Sequence, residues 1–233
     1  MKSKSLIFTA TYNESENIDN YLNILTKIKE IDILIIDDNS PDGTSKKIED
    51  YQKKFGNINL ITRKNKEGLD TAHKIAFNYA IDHKYQNLIT MDADLSHDPN
   101  IVPNFIQELE DHPFVIGSRY IKGGRNETKL TRFLLSIIGN KIIKLVLNIN
   151  CEEFTTSYRA FNLKKLKNFN INKVKSRGYS FFMETIFLVN KSGYPIKQIP
   201  IIFADRTKGV SKIPKIETLR TLKNLFLIKM NKL

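Results

Sequence analysis

Short apolar runs, each followed at once by a polar loop, set the strongest limit on how this chain can fold. Leu6-Ile7-Phe8, Ile33-Leu34-Ile35-Ile36, Ile58 to Thr62, Leu88 to Met91 and Phe114-Val115-Ile116-Gly117 read as strands. Strands with continuous apolar runs are covered on both faces, which is the pattern of a mostly parallel sheet between helical layers. The intervening segments carry helical spacing. Ile18, Leu22 and Leu25 follow Ser15, a second helix opens near Thr44, Gly68 to Ala80 forms a third with Asp70 or Thr71 as N-cap, and Pro103 to Leu109 belongs to a fourth. The expected class is therefore α/β. In such sheets ligands lie outside the carboxyl ends of the strands. The polar loops 11–14, 37–44 and 92–98 all follow strands directly and fall on that rim.

The second half reads differently. Leu130 to Leu147 predicts one or two amphipathic helices bearing Arg132, Lys141 and Lys144, and Gly178 to Val189 predicts another helix, with Glu184 inside it. Ile199 to Phe203 reads as an edge strand. From Pro214 to Leu233, Ile216, Leu219, Leu222, Leu225 and Phe226 recur at helical spacing opposite Lys215, Arg220, Lys223, Lys229 and Lys232. Lys plus Arg outnumber Asp plus Glu by 37 to 25, a net charge of +12, so an anionic partner is expected: nucleic acid, a phosphorylated substrate or an anionic membrane. No zinc spacing, aromatic RNA-binding signature or helix-turn-helix pattern supports nucleic acid. The one cysteine, Cys151, excludes an internal disulfide and reads as a small buried residue rather than a nucleophile. The four histidines, His73, His83, His97 and His112, lack paired metal-ligand spacing, and His97 is expected to shape the loop in which it stands. No secretion signal is expected, and no transmembrane helix, because Asn140, Lys141 and Lys144 interrupt the most apolar stretch.

The chemistry concentrates at Asp92-Ala93-Asp94. Two carboxylates converging past the end of a strand repel unless a cation or proton sits between them. A hard divalent ion, Mg²⁺ or Mn²⁺, bridging to substrate phosphates fits that demand. On the tripeptide alone, a solvated acidic loop is the favoured reading, since short acidic motifs are common by chance.

The whole series of motifs carries a resemblance. Thr11-Tyr12-Asn13-Glu14, Asp37-Asp38-Asn39-Ser40-Pro41-Asp42-Gly43-Thr44, Gly68-Leu69-Asp70-Thr71-Ala72, Asp92-Ala93-Asp94-Leu95-Ser96-His97, Gly117-Ser118-Arg119-Tyr120, Tyr158-Arg159-Ala160-Phe161, Gly178-Tyr179-Ser180-Phe181 and Arg206 through Gly209 to Ser211-Lys212 stand in order from about residue 6 to about 213. Together they resemble the dolichol-phosphate mannosyltransferase family, family 2 glycosyltransferases of the Rossmann-like GT-A fold. The resemblance implies an inverting, metal-dependent transfer of a sugar from a nucleotide sugar to a polyprenyl phosphate. GDP-mannose is the favoured donor, with UDP-glucose as the alternative; a soluble glycan acceptor is a further alternative.

It also implies roles. Ala10, Tyr12, Glu14, Ile36, Asp38, Asp92, Ala93, Asp94, Arg177, Arg206 and Lys212 would bind the nucleotide sugar, with Asp38 near the base. Asp92, Asp94 and Ser96 would hold the metal, Ser96 standing where relatives often have Gln. Arg119, Arg132 and Ser136 would bind the acceptor phosphate, and Asp92, Asp94 and Arg119 form the catalytic set. Residues 1–212 would form the catalytic domain, with interface helices at 130–150, and residues 213–233 a basic amphipathic C-terminal helix. The protein is expected on the cytoplasmic face of a membrane, where a separate subunit could anchor it.

Four positions depart from the family pattern. Ala10 replaces Pro, Asp70 replaces Gly, Glu153 replaces Asp, and Ser157 replaces Gly. The last two are expected to shift the acceptor pocket.

Overall fold

The computed structural model describes residues 4–204 and 216–232. Its centre is a seven-stranded sheet of order β3-β2-β1-β4-β7-β5-β8, built from β1 (Ser5–Thr11), β2 (Ile31–Asp37), β3 (Ile58–Thr62), β4 (Asn87–Thr90), β5 (Phe114–Ser118), β7 (Arg159–Asn162) and β8 (Ile196–Pro200). All neighbours pair in parallel except β7, which runs antiparallel to both β4 and β5. A second, two-stranded sheet joins β6 (Arg125–Asn126) to β9 (Ile202–Phe203).

Helices cover both faces, as continuous apolar strands require. On one side lie α1 (Ile18–Leu25), α2 (Thr44–Gln52) and α4 (Val102–Asp111), on the other α3 (Leu69–Asp82), α5 (Leu130–Leu147), α6 (Tyr179–Lys191) and α7 (Ile216–Lys229). β1 shows the logic. Leu6 and Phe8 enter the core beneath α3 and α6, whereas Ile7 enters the core beneath α1 and α4, so alternation with period two supplies both layers from one run. In α1, Ile18, Tyr21, Leu22 and Leu25 form the buried stripe.

The α/β expectation holds; of the one or two helices expected at Leu130 to Leu147 one forms, and three local readings are corrected. The Ile199–Phe203 stretch is not one edge strand: it divides at Ile201 between β8 and β9, which belong to different sheets. Helix α3 is capped by Gly68 at φ 100°, not by Asp70 or Thr71, which lie in its first turn. Asp70 therefore has helical backbone and needs no positive φ. Ser15 precedes rather than starts α1.

Candidate active site

The three loops that leave the carboxyl ends of β1, β2 and β4 each turn through a left-handed residue: Asn13 (φ 57°), Asn39 (φ 55°) and Leu95 (φ 60°). Asn tolerates this backbone; Leu does so at a cost of about 1–2 kcal/mol. That strain is held by Asp94, whose Oδ1 accepts hydrogen bonds from the Ser96 backbone N–H (3.1 Å) and the Ser96 hydroxyl (2.6 Å).

The first two loops are bound together by Asp37, a fully buried carboxylate at the end of β2. It accepts from Thr11 Oγ1 (2.7 Å), from the Ser40 N–H and hydroxyl (2.8 and 2.6 Å) and from Ser45 Oγ (2.6 Å). Ser40 in turn accepts from the Asn13 N–H, Asp42 from the Ser15 N–H and Thr44 from the Glu14 N–H. The Asp42 carboxylate is held down at about 2, against its burial, by the bonds from Thr44 and Ser15. Asp38 points the other way along the strand, as alternation demands, and is gripped by Arg63 (2.5 Å), whose guanidinium also reaches Thr71 Oγ1 and the Gly68 carbonyl. Tyr12 is half-buried with the Lys66 ammonium 4.3 Å from its ring centroid. Ala10 is half-buried beside it in sequence, and Ile36 is buried in the core. Asp37 and Arg63 were not singled out from sequence. An Asp-Asp pair at a strand end signals that one carboxylate must face inward, but only the fold shows what it binds.

Strand β4 stops at Thr90, so Asp92 and Asp94 stand in the loop, and the turn rather than strand alternation sets their directions. The Asp92 carboxylate approaches His97, and the Asp94 carboxylate turns to Ser96. The histidine is 1% exposed, its Nδ1 accepts the Asp92 backbone N–H at 3.1 Å, and its Nε2 lies 3.1 Å from Thr156 Oγ1. This geometry assigns the ring proton to Nε2, which donates to Thr156. Burial drives the His97 pKa down and outweighs the opposing pull of Asp92 and Asp94, so the ring is neutral at neutral pH. Asp92 Oδ1 accepts from the Ser157 hydroxyl at 2.6 Å, and the Asp92 side chain is 35% exposed. Ala93 is buried, and so is Ser96, whose hydroxyl hydrogen is committed to Asp94. Among the described residues no three His, Cys, Asp or Glu side chains cluster as a closed metal cage. Two carboxylates that leave further positions for substrate oxygens need no such cage.

Arg119, just past β5, is engaged by Glu153: Nε donates to Oε2 at 2.7 Å and Nη2 to Oε1 at 2.8 Å, while Nη2 also reaches Thr155 Oγ1 at 3.0 Å. The guanidinium lies between the rings of Tyr120 and Phe203, 5.0 and 5.1 Å from their centroids. Burial raises the Glu153 pKa, but the Arg119 charge and its hydrogen bonds reverse that, so it lies below the usual carboxylate value. Gly124 is required here: a Cβ would stand 2.5 Å from the Ser118 carbonyl oxygen and 2.8 Å from the Arg119 carbonyl carbon. Ser136 on α5 shares a 2.6 Å hydrogen bond with Tyr120 Oη, which brings it to the turn that carries Arg119. Arg132 is exposed on α5, and Arg177 is exposed just before α6. The strand of backbone before Arg177 is fixed by buried Glu184, whose carboxylate accepts the Lys175 and Ser176 N–H groups. Arg206 and Lys212 lie outside the described residues; Ala204 donates its N–H to the Ser96 carbonyl. Cys151 is fully buried, and burial pushes its thiol up to about 12, which leaves no nucleophile at neutral pH.

The sequence profile of glycosyl transferase family 2 matches residues 6–169. An undecaprenyl-phosphate mannosyltransferase of Micrococcus luteus is 31% identical over 210 residues, covering 89% of this chain and 86% of that protein. A polyprenol monophosphomannose synthase of Mycolicibacterium smegmatis is 29% identical over 214 residues, covering 90% and 81%. Among solved structures, a mannosyltransferase from Pyrobaculum calidifontis in complex with GDP-Man and Mn²⁺ superposes with a TM-score of 0.61 at 16% identity. That likeness covers 99% of this chain, which spans only 65% of the other's length. Glucosyl-3-phosphoglycerate synthase from Mycobacterium tuberculosis gives a TM-score of 0.65 at 13% identity, covering 99% and 80%. At such identities the two structures speak for the GT-A-like fold. The sequence relationship goes further: this chain belongs to glycosyl transferase family 2.

Proposed function

We propose that this family 2 glycosyltransferase moves a sugar from a nucleotide donor to a polyprenyl phosphate with inversion, and that the donor is GDP-mannose. The observation that carries this is the near-full-length relationship to two proteins named for polyprenyl-phosphate mannose transfer. The acceptor phosphate is already anionic at neutral pH, with a second pKa near ~6, so the site needs no strong base to activate it. It needs a positioned cation; at Arg119 the Nε–Nη2 edge is held by Glu153 and Thr155, so the guanidinium charge and its Nη1 group are what it offers a phosphate. Arg119, with Ser136 and Arg132 nearby in sequence on α5, is the proposed acceptor end. Tyr12, Glu14, Asp38, Arg177 and the backbone at Ala10, Ile36 and Ala93 are the proposed donor end. Arg206 and Lys212 join that end on the resemblance alone.

Asp92 and Asp94 fit a divalent cation. His97 turns its Nδ1 lone pair inward to the Asp92 N–H, which leaves an oxygen-only donor set of the kind Mg²⁺ and Mn²⁺ prefer. Ser96 serves the same ion by bracing Asp94. When bound, the cation would offset the negative charge that builds on the departing nucleoside diphosphate. Asp92 and Asp94 orient the diphosphate, and Arg119 holds the attacking phosphate oxygen towards the anomeric carbon.

A lipid acceptor also requires access to a bilayer. On α5, Leu130, Leu134, Leu135, Ile138, Ile142 and Leu145 are exposed beside Lys129, Arg132 and Lys141. Such a face suits an anionic lipid surface. Among the described residues no helix is long and apolar enough to cross a membrane. The test is transfer assayed with purified protein, polyprenyl phosphate and either GDP-mannose or UDP-glucose, with and without Mn²⁺. Mannosyl lipid formed from GDP-mannose only with the metal is the expected result. Glucosyl lipid instead would change the donor, and no product from either would overturn the reading.

A further inference from the structure

One seven-residue stretch, Glu153 to Arg159, touches both ends of the proposed site. At its start, Glu153 and Thr155 hold the Arg119 guanidinium. At its end, it clasps the Asp92 loop at several points. The Ser157 carbonyl accepts from Thr90 Oγ1, the Ser157 hydroxyl donates to Asp92 Oδ1 at 2.6 Å, Thr156 Oγ1 pairs with His97 Nε2, and Tyr158 Oη donates to the Asp98 carbonyl. The stretch is itself rigid. The buried Arg159 guanidinium donates to the carbonyls of Thr156, Phe182 and Phe154 at 2.8, 2.7 and 3.0 Å, and Asn140 of α5 accepts the Phe154 N–H at 2.7 Å.

Only one contact in this set is a side-chain bond to an expected metal-binding carboxylate. Ser157 is 4% exposed, so its hydroxyl competes with little water, and a charged acceptor makes the bond strong. The Asp92 carboxylate thus meets the Ser157 hydroxyl at Oδ1 and the neutral His97 ring 3.7 Å from Oδ2. The Ser157 bond is directional and so sets the rotation of the carboxyl plane, whereas His97, whose Nδ1 accepts the Asp92 N–H, donates no bond to Oδ2.

We propose that Ser157 is a positioning residue. Its hydroxyl fixes the Asp92 carboxylate in the orientation that receives a divalent cation with the donor diphosphate, and it does so without contact with either substrate. The inference rests on the reading of Asp92 as a metal-binding group. Its effect belongs to the metal and donor end, because the Arg119 contacts arise from Glu153 and Thr155 instead.

The test is calorimetric titration of the nucleotide diphosphate into full-length protein across a Mn²⁺ series, with melting temperature and acceptor KM measured on the same samples. Ser157→Ala is expected to raise the half-saturating Mn²⁺ concentration about tenfold, the scale of one hydrogen bond to a charged group. Acceptor KM should stay within about twofold, because the bond lost is remote from Arg119. Ser157→Thr, which keeps the hydroxyl, should restore the Mn²⁺ response. Parent-like metal dependence in Ser157→Ala would overturn the inference alone. So would a parallel loss of melting temperature, metal response and acceptor KM, the mark of a structural role only. Parent protein that binds neither GDP nor UDP in a Mn²⁺-dependent way would instead sink the metal-site reading, and this inference with it.

Discussion

At the scale of single residues, buried charge decides what a substitution can report. Asp94 is 5% exposed, yet it has two functions: Oδ1 accepts the two Ser96 hydrogen bonds that hold the strained turn, and the charge belongs to the proposed metal site. Asp94→Asn keeps an acceptor oxygen for Ser96 and removes the charge. It should lower kcat by more than about 100-fold, the scale of losing a key electrostatic group, while circular dichroism and melting temperature stay near parent values. Full turnover in this variant would remove Asp94 from the metal site. Arg119 is less simple than a phosphate hook. Its partner Glu153 is fully buried, so Arg119→Ala strands a carboxylate in the interior as well as removing the cation. Breaking one side of a buried pair costs about 3–5 kcal/mol. In a chain of this size that is a drop of roughly 6–20 °C in melting temperature. Arg119→Ala/Glu153→Gln should melt above Arg119→Ala, and both should share the defect in acceptor KM. If the double variant melts no higher, Glu153 is not what the single change exposes. The sequence marked Asp92 and Asp94 because their chemistry is local, and Arg119 only through the family resemblance. It could not mark Asp37 or Arg63, and it noted Ser157 only as a departure expected to shift the acceptor pocket, because the partners of these three lie 26, 25 and 65 positions away.

At the scale of elements, the parallel strands β1 to β5 were legible because each is an apolar run of its own, whereas β8, Ile-Lys-Gln-Ile-Pro, is not such a run and its bounds were misread. β7 was not: Arg159-Ala160-Phe161-Asn162 has no β-branched residue and carries a charge, yet all four residues are buried at the middle of the sheet. Its place is set by what arrives on either side, β4 and β5, and by the carbonyls that satisfy Arg159. Asn140 is a second case. In sequence it interrupts an apolar stretch; in the fold its side chain joins the Ser136 carbonyl of α5 to the Phe154 N–H and so fastens the helix to the loop behind the site. The seam between α3, β1 and α6 carries a consequence for pH. His73 of α3 lies among the rings of Phe8, Phe181 and Phe182, with Arg159 as the charged group facing it. Burial and that charge lower its pKa from 6.5 to about 3. The unfolded chain therefore binds a proton that the folded chain refuses, so His73 favours folding fully above pH 6.5 and progressively less as pH falls from 6.5 towards 3. One such group contributes a slope of up to about 1.4 kcal/mol per pH unit, or roughly 3–6 °C. Melting of the parent should fall between pH 6.5 and 4, and His73→Phe should flatten that decline whatever it does to stability at neutral pH. Equal slopes for the two proteins would show that the seam does not carry the effect.

At the scale of the whole molecule, charge and apolar surface share one side. α7 packs Leu225 and Ile228 into the core alongside α5 and α6, yet leaves Leu222, Phe226 and Met230 exposed, with Arg220, Lys223, Lys229 and Lys232 beside them. α5 repeats the pattern with Leu135 and Leu145 exposed by 73% and 82%. An excess of cations explains an electrostatic approach to anionic lipid, worth about 1 kcal/mol per Lys or Arg near the surface. It does not explain why leucines stand in water, where each gives up about 1.5–3 kcal/mol of possible burial. Both observations are met if the two helices rest on the bilayer that presents the polyprenyl phosphate. The protein should float with vesicles containing anionic lipid and much less with neutral vesicles, and raised salt should weaken but not abolish flotation, because only the charge component is screened. Leu135→Glu/Leu145→Glu should release it at low salt with little change in melting temperature, since neither side chain supports the core. It should also depress transfer to long-chain polyprenyl phosphate in vesicles more than transfer to a short, water-soluble analogue. Parent protein that stays at the bottom of the gradient with anionic vesicles would separate the apolar faces from lipid and favour an enzyme whose acceptor reaches it from solution.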